Sequence, residues 1–151
     1  MTVEPPLLFD LYARYGALLD AEAYDDWLGL FAAECRYQVL PRENWRAGLP
    51  AALIFCDSRA VLEDRISALR LANKFNIHND RHLIGLPRLV EADVAEAPFA
   101  VFQTGQEGET RLFAAGLYRD RLAVENGSLK IADKLVVLDS FAVPSLLATP
   151  L

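Results

Sequence analysis

Between Gly48 and Arg70 the chain reads GLPAALIFCDSRAVLEDRISALR, and this segment restricts the possible folds more than any other. Leu53, Ile54 and Phe55 are apolar at consecutive positions, the pattern of a strand covered on both faces. Asp57 or Ser58 then offers an oxygen to the free amides at the start of a helix. In that helix Leu62, Ile66 and Leu69 fall at i, i+4 and i+7 and form one apolar stripe. Arg59, Glu63, Ser67 and Arg70 take the opposite side, with Arg59 and Glu63 spaced as an i, i+4 ion pair. A strand passing directly into an amphipathic helix implies a helix packed on a sheet.

The rest of the chain divides into a helical first half and a stranded second half. Leu8, Leu11, Tyr12, Tyr15, Leu18 and Leu19 repeat at helical spacing behind Pro5 and Pro6, which suit a helix start. Tyr24, Trp27, Leu28 and Phe31 predict a second short helix, with Asp25 and Asp26 at its positive end. A strand over Arg36–Leu40, a polar loop from Pro41 to Ala47 and a strand over Leu49–Cys56 precede the third helix. Beyond Asn76, one long strand is expected to place His82, Ile84, Leu86, Val90 and Val94 on a common face, with an interruption near Pro87-Arg88. Further strands are predicted over Pro98–Gln103, Arg111–Val124 and Leu129–Ser140. The turn signals between them are Glu96-Ala97-Pro98, Gly105-Gln106-Glu107-Gly108 and Asn126-Gly127, the last being a strong hairpin signal. The expectation is one α+β domain over residues 1–151, with three N-terminal helices packed on a mostly antiparallel sheet.

Composition narrows the function. At 151 residues and 53% hydrophobic content the chain can bury a core without staples, and it has apolar surface to spare for a partner. A net charge of −6 opposes nucleic-acid binding, which needs a basic face to displace counterions. Arg42 with Arg46, and Arg119 with Arg121, form only short basic clusters interrupted by acids. Cys35 and Cys56 have no metal-motif spacing and read as free thiols in a reducing cytoplasm. The opening MTVEPPLLFD lacks the positive charge of a signal peptide, and no apolar run reaches the roughly 20 residues of a membrane span.

Only one run has the ligand types of a non-haem iron site, His78-Asn79-Asp80-Arg81-His82. In an extended segment the two histidine Cα atoms lie roughly 13 Å apart at about 3.3 Å per residue. Both imidazoles cannot then take adjacent corners of one ion, unless the chain turns at Asn79-Asp80. The plainer reading makes His78, Asp80 and His82 hydrogen-bonded polar residues at an interface or at the mouth of the fold. Trp45, flanked by Arg42 and Arg46, has the composition favoured at interface hot spots, although a loop tryptophan packed over its own sheet would look the same. Rieske, phosphate-loop, dinucleotide and nucleophile-elbow patterns are absent.

As strings of residues, several segments resemble the small (beta) subunits of aromatic-ring-hydroxylating dioxygenases. They are LYARYGALLDAEAYDDWLGLFAAECRYQV, the Gly48–Arg70 segment, RHLIGLP from Arg81, FAAGLYRDRL from Phe113 and LKIADKLVVLDS. Their order and spacing carry the resemblance, which is nearest to systems acting on aromatic carboxylates such as anthranilate, terephthalate or halobenzoate. The resemblance implies an NTF2-like (SnoaL-like) cone-shaped barrel with a strongly curved sheet. It also implies a non-catalytic subunit that trimerises within an α3β3 oxygenase. The Rieske [2Fe-2S] cluster and mononuclear non-haem Fe(II) would belong to the large (alpha) subunit, served by a ferredoxin, a reductase or both. The same cone in stand-alone isomerases and dehydratases places a Tyr, an Asp and sometimes a His in an internal cavity. On that alternative Tyr12, Tyr15, Asp26, Asp80 and His82 would converge inside, for proton transfer or to bind a small ligand.

Overall fold

The computed structural model describes residues 1–49, 51–74, 77–139 and 150–151. In chain order the elements are α1 (Pro5–Asp20), α2 (Tyr24–Leu28), β1 (Phe31–Pro41), α3 (Arg42–Arg46), β2 (Ile54–Cys56), α4 (Arg59–Ala72), β3 (His78–Ile84), β4 (Arg88–Leu89), β5 (Val94–Gly105), β6 (Thr110–Glu125) and β7 (Ser128–Leu138). The seven strands form one sheet in the order β2-β1-β7-β6-β5-β3, with β4 continuing the outer edge on β5. All pairings are antiparallel except β1 with β7. That parallel contact joins the early strand to the end of the meander.

α4 forms as its sequence dictates. Ser58 Oγ accepts a hydrogen bond from the Val61 amide at 3.3 Å, so the serine is the cap rather than Asp57. Leu62, Ile66 and Leu69 are buried, and Arg59 bridges to Glu63 at 3.0 Å. The same guanidinium donates to the carbonyls of Phe31 and Ala32, fixing the helix to β1. The strand before it departs from expectation. β2 is a three-residue edge strand, and Leu53 and Phe55 are 46% and 51% exposed. The apolar run is covered on one face only; the other lies open.

Three more boundaries differ. Phe31 begins β1 instead of closing the second helix, because Gly29 ends α2 and the chain extends at once. The polar loop after Pro41 contains the one-turn helix α3. The single long strand expected from His82 to Val94 is broken between Ile84 and Arg88, and the turn lies at residues 91–93 instead of Glu96-Ala97-Pro98. Pro98 sits inside β5, where its carbonyl accepts from Gly85. On that side β5 passes the gap between β3 and β4, so the missing proline amide leaves no ladder bond unmade. The expected extension of the last strand to Ser140 lies outside the described residues.

The hairpin between β6 and β7 turns on Asn126 and Gly127, both at positive φ (51° and 76°), as a two-residue type I′ turn requires. Gly116 meets a different demand: a Cβ there would lie 2.0 Å from the Val137 carbonyl oxygen. The sheet closes over an aromatic core. Trp27 packs on Phe31 at 4.8 Å, Tyr15 at 5.7 Å and Tyr37 at 6.1 Å between ring centroids. Tyr118 stacks on Phe99 at 4.2 Å and meets Tyr15 edge-on at 5.5 Å. Leu151 enters the same core, its amide and carbonyl bonded to the hydroxyls of Tyr37 and Tyr15.

Candidate functional site

His78, Asp80 and His82 alternate along β3, which stays extended through Asn79-Asp80 and pairs regularly with β5. The three share a face but separate into two pairs. His78 Nε2 lies 3.5 Å from Asp80 Oδ2, and Asp80 also accepts from Gln103 at 3.2 Å. His82 turns instead to Asp20, the last residue of α1, with Nδ1 2.7 Å from Oδ1. Asp20 further accepts the His82 backbone amide at 3.0 Å. The carboxylate therefore ties α1 to the sheet edge and orients the imidazole. Among the described residues no group of three or more His, Cys, Asp or Glu is placed to hold a metal ion.

Of the other residues expected to converge inside, Tyr12 and Tyr15 do so. Asp26 does not, being exposed in the first turn of α2. Trp45 and Arg46 lie exposed on α3, with Trp45 at 37%, and Arg42 approaches Asp139 at 3.6 Å.

The interior holds a constellation that sequence reasoning missed. Asp120 on β6 stands directly opposite Lys134 on β7. Both are fully buried, with Nζ 2.8 Å from Oδ2. Tyr12 from α1 donates its hydroxyl to the same oxygen at 2.5 Å. The ammonium sits against three tyrosine faces, 3.4 Å from the Tyr118 centroid, 4.0 Å from Tyr15 and 5.2 Å from Tyr12. Ring quadrupoles replace part of the lost hydration. Burial nevertheless pulls Lys134 down to about 8 and pushes Asp120 up, each opposing the charge that its partner favours. Burial also raises Tyr12, Tyr15 and Tyr118 well above the ordinary phenol value. A sequence signal did exist: Asp120 and Lys134 fall in phase with inward Tyr118 and Val136, not with outward Arg119 and Leu135.

Chemically, this cluster is a sealed anchor joining helix to sheet. With both charges at zero exposure, substrate has no route to them in this conformation.

A family model described as "Ring hydroxylating beta subunit" matches residues 14–145. The chain is 37% identical over 143 residues to subunit beta 1 of the terminal oxygenase component of terephthalate 1,2-dioxygenase from Comamonas sp, covering 92% of this chain and 93% of that one. It is 32% identical over 158 residues to the anthranilate 1,2-dioxygenase small subunit from Burkholderia cepacia, covering 100% and 98%. Among solved structures, a protein provisionally assigned as the beta subunit of an aromatic-ring-hydroxylating dioxygenase from Novosphingobium aromaticivorans superposes with a TM-score of 0.85 at 42% identity, covering 97% and 96%. Helices packed on a curved, mostly antiparallel sheet are the NTF2-like α+β architecture. This chain belongs to the beta-subunit family of the aromatic-ring-hydroxylating dioxygenases. It is thus an oxidoreductase component.

Proposed function

We propose that the chain forms the trimeric stem of an α3β3 oxygenase that cis-dihydroxylates an aromatic carboxylate. The observation carrying this reading is the end-to-end similarity to small subunits of terephthalate and anthranilate dioxygenases, both named for aromatic carboxylates. A large subunit carrying the Rieske cluster and mononuclear iron would perform the chemistry, fed by a ferredoxin, a reductase or both. The present residues suit a supporting role. Large apolar side chains stay open on the isolated chain, including Trp45, Leu49, Leu53 and Phe55 around β2 and Leu83 and Leu86 at the opposite edge. Burying such patches is the usual gain on closed assembly. No helix of the described residues is long and apolar enough to cross a membrane.

The test converts His78, Asp80 and His82 together to Ala in the chain co-expressed with its large subunit. Iron content per complex is expected to be unchanged. Turnover per assembled complex should stay within about tenfold, a barrier change of about 1.4 kcal/mol. Assembly is measured separately, since the triple change also removes the bond to Asp20. A fully assembled complex with an intact Rieske spectrum and turnover reduced by several orders of magnitude would move the chemistry onto this chain.

A further inference from the structure

Tyr15 of α1 and Tyr37 of β1 carry their hydroxyls into the core, and both residues are at zero exposure. A buried phenol hydroxyl needs a hydrogen-bond partner. Both find one on a single residue far along the chain. Tyr15 donates to the Leu151 carbonyl at 2.5 Å, and Tyr37 to the same oxygen at 3.2 Å. The Leu151 amide in turn donates to the Tyr37 hydroxyl at 2.9 Å. Side chains, not a strand ladder, hold the main chain of this residue.

The contacts define what fits between them. Burial pushes both phenols up, so each keeps its proton and remains a donor. Together they offer two donors and one acceptor, the complement of a carbonyl and an amide on either side of one α-carbon. The surroundings are aromatic: Trp27 packs on both tyrosines and Phe31 on Tyr15. Leu151 is 1% exposed and belongs to the same apolar core, so its isobutyl group is buried together with its polar groups. Pro150 before it is also buried and has no amide hydrogen to satisfy.

We propose that Tyr15 and Tyr37 form an internal peptide-binding site that selects an apolar residue, with Leu151 as its intramolecular ligand. A tethered segment meets its site at an effective concentration on the order of millimolar, so the site stays filled in the intact chain. Emptied of Leu151, it takes a free peptide of the same chemistry. A glycine in place of the leucine makes the same hydrogen bonds but forgoes the apolar burial, so the site discriminates by side chain. This site goes beyond the subunit role proposed above and does not depend on it.

The test begins with amide hydrogen exchange in the full-length chain labelled with 15N. The Leu151 amide is expected to exchange at least a hundredfold more slowly than an unstructured amide. Tyr37→Phe, and Tyr15→Phe as a second variant, should each speed it at least tenfold while amides within β6 and β7 keep their protection. Leu151→Asp keeps the full chain but brings a charge that the core rejects, and so empties the site. This variant should bind acetyl-Pro-Leu-amide saturably, with a rise in melting temperature, and at least tenfold more tightly than acetyl-Pro-Gly-amide. The wild-type chain should take up neither peptide. A Leu151 amide that exchanges at the unstructured rate, or protection unchanged in both tyrosine variants, would overturn the proposal. So would a Leu151→Asp chain that ignores both peptides or binds them equally, or a wild-type chain that binds acetyl-Pro-Leu-amide as readily.

Discussion

Replacing Lys134 by methionine is expected to lower the stability of the folded chain by about 3–5 kcal/mol, because it leaves Asp120 buried without its cation. In a domain of this size that corresponds to a fall in melting temperature on the order of 10 °C. Asp120→Leu alone should do comparable damage, stranding the ammonium and the Tyr12 hydroxyl together. The double variant Asp120→Leu with Lys134→Met should recover most of the loss, since burying both charges is itself costly. The pH dependence has a definite sign. Between about pH 8 and the ordinary lysine value of 10.5, an unfolded chain binds a proton at Lys134 that the folded chain has released. This residue's contribution to stability therefore rises with pH across that window. Asp120 has the opposite slope: its contribution is present below the ordinary value of 3.8 and is lost as pH rises through its raised folded value. The double variant should lack both slopes. Denaturant melts of the four proteins at several pH values measure this, and single variants within about 1 kcal/mol of wild type would contradict it.

Trp27→Ala is expected to cost about 3–5 kcal/mol, the range for truncating a fully buried aromatic. Trp27 has zero exposure and contacts three aromatic rings, from α1 and β1. Its loss would open a cavity where α1, α2 and β1 meet. Since native domains are stable by only about 5–15 kcal/mol, the expected result is poor recovery of folded chain at 37 °C and correspondingly less assembled complex. Turnover per surviving complex should be normal. A variant that melts within a few degrees of wild type would show that α2 is not integral to the core.

What could be read from the sequence was local. The stripe Leu62, Ile66, Leu69, the cap near Ser58 and the Asn126-Gly127 hairpin each depend on neighbours a few residues away, and all three form as predicted. The parallel contact between β1 and β7 depends on residues about 100 positions apart and leaves no periodic signal. Hydrophobic alternation continued past Ile84 into Leu86, and so concealed the break before β4. The Leu53-Ile54-Phe55 run reads as doubly covered because sequence cannot tell a central strand from an edge strand whose outer face awaits a partner. Asp120 and Lys134 were hidden by Arg119, Arg121 and Asp133, which gave the hairpin the look of a solvated surface. Only the strand phase separates the inward pair from the outward charges. His82 was found by type, but its partner Asp20 lies 62 residues away.

The stem role proposed for this chain leaves catalysis to another polypeptide. The most direct measurement is the mass and iron content of the complex formed when the chain is co-expressed with its large subunit, set beside the purified chain alone. Equal numbers of the two subunits in a closed assembly are expected. Iron and the Rieske spectrum should remain with the large subunit after dissociation, and the separated small chain should be colourless. A chain that stays alone in the presence of the large subunit, or that retains stoichiometric iron after separation, would contradict it.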